Sequence, residues 1–134
     1  MVVDPAIVES LIGIPFVKFG RDPAIGLDCW GGIIELFKRH GIPVADPFAT
    51  RREETIRLDQ AWITEMFAAW QRTDTAAPGT VLIYSRSGLA PDHAGVLVEG
   101  RTMYHVLEVT GGVRSNIDRQ PWPDRLRGCY AHRL

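Results

Sequence analysis

Apolar side chains recur every three to four positions between residues 29 and 40, a spacing that predicts an amphipathic helix. Glu35, Lys38 and Arg39 fall on the opposite side, and Gly41 stands where a left-handed glycine commonly ends a helix. The predicted inward face carries Cys29, Ile33, Leu36, Phe37 and His40. The first inward side chain, in the first turn of the helix, is therefore a thiol.

The second half of the chain carries short runs of a different kind. Residues 80–85, 93–99 and 102–109 are rich in β-branched and aromatic side chains, and Gly, Pro, Ser and Asp separate them. This composition predicts consecutive antiparallel strands. Because the helical pattern comes before the strands, the predicted fold class is α+β.

Two histidines lie in these predicted strands. A three-residue hairpin loop at residues 99–101 would place His93 and His105 on the same side of the sheet, with Gly95 directly opposite His105. The two histidines would then be diagonal neighbours, about 7–8 Å apart at the backbone, which is within reach of a hydrogen bond between the rings. Such a pair could instead serve core packing, face solvent or bind a metal.

Weaker patterns predict the remaining elements. An apolar stripe at residues 7–12 predicts a short N-terminal helix, and residues 45–55 break the helical pattern and predict an exposed connection. Gly111 and Gly112 predict a turn before a strand-like run at residues 113–117. A second helix with core-packed side chains is predicted from the spacing of Leu58, Trp62, Met66, Ala69 and Trp70.

Length and composition indicate one small globular unit. With 134 residues, 46% of them hydrophobic, the chain can bury one core but not two, so we expect a single domain over residues 1–134. The formal net charge of −1 and the scattered basic residues argue against nucleic-acid binding. The apolar runs are too short for membrane insertion and the N-terminus lacks a signal-peptide pattern, so we expect synthesis in the cytoplasm.

Cys29 occupies a position that favours reactivity. The unpaired N–H groups and the positive dipole end of a helix N-terminus favour the thiolate, and Asp28 is suited to cap the helix and fix where the sulfur points. Gly26, Gly31 and Gly32 allow other backbone to approach closely. A cysteine kept only for packing does not need this position. We therefore predict a nucleophile, with an imidazole completing an acyl-transfer site.

A metal site is the alternative use of these side chains. Asp92, His93 and His105 could supply three ligands, but the sequence has no C-x-x-C or H-E-x-x-H motif. We therefore expect no metal and no other cofactor. A disulfide between Cys29 and Cys129 would consume the nucleophile, so we expect both thiols to be free.

These features resemble the NlpC-type cysteine peptidases, papain-like enzymes that cut the peptide stems of the bacterial cell wall. The likeness covers most of the chain and is greatest to the tail-associated members of phages, prophages and gene-transfer particles. Residues 14–22 (IPFVKFGRD) resemble the G-x-P-Y-x-x-G-G segment of the family, residues 26–31 (GLDCWG) its nucleophile motif and residues 77–83 (APGTVLI) its P-G-D entry to the sheet. Residues 92–98 (DHAGVLV) resemble the strand with the base histidine, residues 103–106 (MYHV) the strand with the third catalytic residue and residues 125–132 (RLRGCYAH) the final strand.

The resemblance implies a papain-like α+β fold, in which N-terminal helices pack on an antiparallel sheet and the nucleophile begins the central helix. It implies that Cys29 is the nucleophile, that His93 is the general base and then the acid, and that His105 fixes the tautomer of His93. The backbone N–H of Cys29 would be one donor to the oxyanion.

Three residues depart from the pattern of the family. Trp30 replaces a Ser that, in dipeptide-trimming members, helps to hold the free amine of the substrate, and Phe16 and Thr80 replace a Tyr and an Asp. The predicted substrate-binding residues are Asp28, Trp30 and Phe16. A large indole beside the nucleophile predicts a preference for intact wall stems over fragments with a free amine, and a Trp at this position is typical of the phage-like branch.

The expected function is hydrolysis of an amide bond in peptidoglycan stem peptides through a cysteine thioester. The expected partners are the stem peptides and the proteins of a phage tail or gene-transfer particle, which would deliver to the wall an enzyme made without an export signal. Two other functions are compatible with the sequence. One is transfer or hydrolysis of a different acyl group at the same site, and the other is a non-catalytic tail-assembly or plug protein that retains the fold.

Overall fold

The computed structural model describes residues 1–46, 68–89 and 91–133. Within these residues lie the helices α1 (Pro5–Leu11), α2 (Cys29–Arg39) and α3 (Trp122–Arg125). The strands are β1 (Arg21–Asp22), β2 (Gly26–Leu27), β3 (Trp70–Thr73), β4 (Val81–Tyr84), β5 (His93–Glu99), β6 (Thr102–Leu107), β7 (Gly111–Asn116) and β8 (Leu126–His132). The predicted α+β class is confirmed. The assignment of residues 1–134 to a single domain stays a prediction.

Six strands form one antiparallel sheet in the order β3-β8-β4-β5-β6-β7, and β1 pairs with β2 in a separate two-stranded ribbon. The three strands predicted from composition, β4, β5 and β6, are consecutive neighbours as expected. The last strand, β8, enters between β3 and β4. The last strand of the chain, β8, therefore connects β3 to the other strands of the sheet.

Helix α2 has the predicted start and most of the predicted inward face, although His40 is the half-buried C-cap rather than part of the helix. Ile33, Leu36 and Phe37 are at most 1% exposed, and Gly41 ends the helix with a φ of 77°, a conformation that glycine adopts without strain. Glu35 departs from the predicted polar face because it is only 8% exposed. It pairs with Arg39 at 3.0 Å, which satisfies the carboxylate.

The alternation of side chains along the strands produces two apolar clusters, one on each face of the sheet. The larger cluster lies between the sheet and helices α1 and α2. Full burial of each large aliphatic side chain contributes about 1.5–3 kcal/mol, so this cluster is the main source of stability. The smaller cluster lies on the opposite face and contains Leu82, Tyr84, Leu97, Met103 and Ile117, with Trp122 packed against it.

The β5–β6 hairpin has the predicted register over most of its length. Gly95 pairs directly with His105, as predicted. At the turn, Glu99 pairs with Thr102 because a bulge follows Leu97, so the loop is one residue shorter than predicted. The bulge leaves the two histidine positions unchanged.

Two predicted elements need correction. Residues 68 and 69 are helical, as predicted for Ala69, but Trp70 begins β3 because its backbone pairs with His132 of β8. Gly111 and Gly112 belong to β7 rather than to a turn, and the backbone of Gly112 also bonds the N-terminal segment that follows α1. The predicted helical positions Leu58, Trp62 and Met66, and residues 47–55 of the predicted connection, lie outside the described residues. No helix in the described ranges is long and apolar enough to cross a membrane.

Candidate active site

The start of helix α2 is fixed by a buried carboxylate. Asp28 caps the helix as predicted, and its Oδ1 accepts hydrogen bonds from the backbone N–H of Gly31 at 2.7 Å and from Nη1 of Arg21 at 2.6 Å. The side chain of Asp28 is completely buried. Arg21 also donates to Asp46 at 2.7 Å. This ion-pair network holds the first turn, and with it the sulfur of Cys29, against the ribbon formed by β1 and β2.

The predicted close approach of other backbone to the helix start is confirmed. A Cβ atom on Gly31 would collide with the carbonyl oxygen of Gly20, and one on Gly32 would lie 2.8 Å from the hydroxyl of Tyr104. The first of these contacts is with rigid backbone. Glycine at position 31 is therefore a steric requirement for the packing that surrounds Cys29.

His93 and His105 form the hydrogen-bonded pair that the hairpin pattern predicted. Nε2 of His93 lies 2.9 Å from Nδ1 of His105, and both rings are at most 1% exposed. Gly95, between them on the same face, carries no side chain that would separate the rings. Since Nε2 of His93 is engaged with His105, its Nδ1 is the nitrogen left for a reacting group.

Ser115 extends this pair and was not identified from the sequence. Its Oγ lies 2.7 Å from Nε2 of His105. In the β6–β7 register Met103 pairs with Ser115 and His105 pairs with Val113, so Ser115 and His105 are diagonal neighbours. Only the pairing of β7 with β6 could have revealed this contact, and the sequence prediction began that strand two residues late.

Trp122 is a second site residue that sequence reasoning missed. Its indole stacks on His93 with a centroid distance of 5.7 Å and an interplanar angle of 27°, and it meets His105 edge-on at 4.9 Å. Tyr84 lies at 5.2 Å from the same indole. These rings cover the imidazole pair on the face of the sheet opposite α2 and exclude water from its hydrogen bond.

The thiol of Cys29 contacts strand β5 next to His93, where the β5–β6 pairing ends. The β5–β6 pairing ends at Gly95 and His105, and the backbone N–H of Ala94 bonds the sulfur. Cys29 and His93 line one cleft of about 200 Å³. The other residues that line this cleft are Phe16, Lys18, Asp28, Arg86, Asp92, Val106 and Glu108.

The predicted site residues are therefore brought together with one exception. Cys29, His93, Asp28 and Phe16 line the cleft, and His105 stands behind His93. Trp30 does not line it. In the ranges 1–46, 68–89 and 91–133, no group of three or more His, Cys, Asp or Glu side chains could hold a metal ion.

The surroundings of Cys29 disfavour the thiolate in the free protein, which corrects the prediction from the helix start. Burial raises the pKa of the thiol to about 12, and the neighbouring Asp28 carboxylate also acts to raise it. The N–H of Ala94 and the guanidinium groups of Arg86 and Arg21 act in the opposite direction. Desolvation of a charged sulfur outweighs the dipole of the helix because the sulfur has left water almost completely.

The histidines are also held in the neutral form. Burial lowers the pKa of His93 well below its usual 6.5, with His105 and Arg86 acting in the same direction. Burial, followed by Arg86, lowers the pKa of His105 to about 4. At neutral pH the site therefore contains a neutral thiol beside a neutral imidazole, which is the form of histidine that can accept a proton.

Alkylation of Cys29 by iodoacetamide tests this charge state. Since only the thiolate reacts and the pKa of Cys29 is raised, we expect the labelling rate to rise about tenfold per pH unit from neutral to alkaline pH, without a plateau near neutrality. Cys129, also a free thiol but more exposed, is the internal comparison when labelled peptides are quantified by mass spectrometry. A plateau for Cys29 on the acidic side of neutrality would indicate a preformed thiolate and contradict this assignment.

Trp30 belongs to the core rather than to the cleft. It is 1% exposed, its ring centroid lies 6.0 Å from that of Trp70, and its indole N–H donates to the carbonyl of Ala45 at 3.3 Å. The helix turns its side chain away from the thiol of the preceding residue. The prediction that Trp30 binds substrate is therefore corrected, because the indole packs inside the cluster between α2 and the sheet.

Substitution Trp30→Ser is accordingly expected to lower stability rather than to change substrate choice. Removal of a buried indole should cost about 3–5 kcal/mol of unfolding free energy, measured by chemical denaturation. Trp30→Phe should lose less because it keeps an aromatic ring against Trp70. A stable Trp30→Ser protein whose preference shifts toward substrates with a free amine would contradict the core role and show that Trp30 contributes to substrate binding.

Comparison with known proteins identifies the fold and the family. The model of the NlpC/P60 family matches residues 13–130. Comparison with curated protein sequences gives no significant match. Similar solved structures include a protein described as similar to lipoprotein, of the NLP/P60 family, from Staphylococcus aureus (20% identity, TM-score 0.65) and NlpC2 from Trichomonas vaginalis (16%, 0.68). A third is the NlpC/p60 domain of the peptidoglycan hydrolase SagA (16%, 0.63).

The match to the S. aureus protein covers 98% of this chain and 43% of that protein. The match to NlpC2 covers 96% of this chain and 45% of NlpC2, and the match to the SagA domain covers 94% and 93%. The chain thus spans less than half of the length of the S. aureus and T. vaginalis proteins. Identities in this range establish a shared fold and nothing finer. Since the family model covers most of its length and the folds agree, the chain belongs to the NlpC/P60 family.

Proposed function

We propose that this protein hydrolyses an amide bond in peptidoglycan stem peptides, with Cys29 as nucleophile and His93 as general base. One observation carries the proposal: Cys29 and His93 line the same cleft, while His105 holds the far nitrogen of His93 at 2.9 Å. Members of the family are generally peptidoglycan hydrolases, and the similar SagA domain comes from a peptidoglycan hydrolase. These likenesses support the substrate class.

The proposed reaction begins with the neutral pair. As the sulfur of Cys29 attacks the carbonyl carbon of the stem peptide, its proton passes to Nδ1 of His93. The carbonyl oxygen becomes an oxyanion, to which the backbone N–H of Cys29 at the helix start would donate. Collapse of this intermediate breaks the C–N bond, and His93 gives its proton to the leaving amine.

A thioester on Cys29 remains after the amine leaves. Water then attacks the thioester carbon and gives a proton to His93, which returns it to the sulfur as the acid product departs. His105 stays neutral through the cycle and accepts a hydrogen bond from Nε2 of His93 while that ring is positively charged. The low pKa of His93 makes this charge short-lived, which suits a base that must release its proton again.

Digestion of purified peptidoglycan tests the proposal. Wild-type protein is incubated with whole sacculi and with soluble muropeptides, and the products are identified by mass spectrometry. New peptide termini at one stem amide bond would support hydrolysis, and their position would identify the scissile bond. Intact muropeptides together with binding to sacculi would instead support a non-catalytic protein that retained the fold.

We also propose that a virion or tail-like particle delivers the protein to the wall. The support is the resemblance of the segment around Trp30 to the phage-like branch, since the comparisons themselves extend only to the family. Mass spectrometry of particles purified from the producing cells tests this step. Absence of the protein from such particles, while it accumulates in the cells, would contradict delivery by that route.

A further inference from the structure

The hydrogen-bond chain that begins at His93 does not end at His105 but at the hydroxyl of Ser115. The two contacts are 2.9 Å between the imidazoles and 2.7 Å between Nε2 of His105 and Oγ of Ser115. His105 is completely buried, and Ser115 is half-buried in β7. Both nitrogens of His105 are therefore occupied by protein partners.

Such a chain can run in two directions, and only one of them leaves His93 able to act. If His93 donates from Nε2 to His105, then His105 must donate from its own Nε2 to Ser115, and Nδ1 of His93 keeps its lone pair. If the chain is reversed, Ser115 donates to His105, His105 donates to His93, and Nδ1 of His93 carries a proton toward the cleft. A base with a proton on Nδ1 cannot accept the proton of a thiol there.

We infer that Ser115 is a positioning residue that supports the productive direction of this chain: its Oγ accepts a hydrogen bond from the Nε2–H of His105, so that Nδ1 of His93 stays free for Cys29. This inference rests on the proposed function. A third residue with a charged carboxylate would set the direction by itself, because a carboxylate can only accept. A neutral imidazole and a serine hydroxyl can each donate or accept, so here Ser115 acts by giving the N–H of His105 an acceptor in the productive direction.

Loss of the Ser115 acceptor should destabilise the productive direction more than the reversed one. In the productive direction the N–H of a fully buried ring would be left without a partner, which is costly because the group has lost its bond to water. In the reversed direction only a lone pair would be left unpaired, and among backbone groups buried acceptors without partners occur more often than buried donors. Removal of the hydroxyl should therefore shift the histidines toward the unproductive tautomers.

Two substitutions with side chains of equal shape distinguish the effect of the hydroxyl at position 115 from the effect of side-chain volume. Ser115→Thr keeps an Oγ, whereas Ser115→Val replaces it with a methyl group, and both branched side chains suit a strand. Arg114→Ala is the control in the same strand, since Arg114 lies on the other face and makes an exposed ion pair with Glu9. Ser115→Ala removes the hydroxyl without added bulk and takes the place of Ser115→Val if that protein does not fold.

The first measurement needs no substrate. Two-bond ¹H–¹⁵N correlation spectra of histidine-labelled protein report which ring nitrogen carries the proton. We expect Nε2–H on both His93 and His105 in wild type, Ser115→Thr and Arg114→Ala, and a mixture that includes Nδ1–H in Ser115→Val. Identical tautomers in the Thr and Val variants, or Nδ1–H on His93 in wild type, would overturn the inference.

The second measurement uses the proposed reaction. We expect Ser115→Val to lower kcat by about tenfold with little change in KM, because the fraction of protein with a competent base falls while the cleft is intact. Ser115→Thr should retain activity close to that of wild type. Wild-type protein that cleaves no stem peptide would contradict the proposed function alone, and the tautomer spectra would still decide the inference about Ser115.

Discussion

Replacement of Cys29 by alanine should reduce the release of peptides from peptidoglycan to an undetectable level. Without the sulfur, neither the attack on the amide carbon nor the thioester can occur, and the remaining groups in the cleft include no other thiol among the described residues. The fold should survive because alanine is small and apolar and favours helices, so it fits the first turn behind the Asp28 cap. Product analysis by mass spectrometry and a thermal melt measure the two effects separately.

Cys129→Ala is the matched control for this experiment. Cys129 is the other free thiol of the described residues and packs near the cluster on the face of the sheet opposite α2. Its removal should leave turnover unchanged. Residual activity of Cys29→Ala above the background of buffer alone would refute Cys29 as the nucleophile, whereas loss of activity in both variants would indicate a general effect on folding.

His93→Ala should cost about 10²–10⁴-fold in kcat, the usual contribution of a positioned proton carrier. The loss is expected because the neutral thiol of Cys29 cannot attack unless a base removes its proton during the reaction. His105→Asn should cost less. The Asn side-chain oxygen can still accept a hydrogen bond from His93, so mainly the orientation and the stabilisation of the imidazolium are weakened.

The pH dependence of kcat/KM tests the role of His93 independently of its substitution. Because burial lowers the pKa of His93 well below 6.5, the imidazole stays neutral as the pH falls below that value. We expect kcat/KM to persist below pH 6.5 and to decline only as His93 becomes protonated. A decline centred on the ordinary histidine pKa of 6.5, or activity of His93→Ala that depends on added zinc, would contradict a base in this environment.

The sequence alone determined the features that depend on local spacing. The inward face of α2, its cap at Asp28 and its end at Gly41 follow from residues within a few positions of one another, and the structure has all three. The pairing of His105 with Gly95 is equally local, since one short hairpin joins the two strands. The likeness of six segments in order also predicted the family, because each segment is short and contiguous.

Only the tertiary structure decided what surrounds those residues. The side chain of Trp30 could face the cleft or the core with the same helical spacing, and its packing against Trp70 of a distant strand places it in the core. The charge state of Cys29 was predicted wrongly for the same reason. A helix start favours the thiolate locally, but burial depends on what other elements place over the sulfur.

Ser115 and Trp122 are site residues that the sequence alone did not identify. Ser115 reaches His105 through the register of β7 on β6, and Trp122 covers both histidines from a short helix that no apolar pattern marked. Local spacing along the chain carries propensity and periodicity, so it determined the helix, the hairpin and the three residues proposed for chemistry. The closing of the sheet by β8 and the layers packed on its two faces arise from contacts between residues far apart in the chain, and these decided the protonation state of the site and its further members.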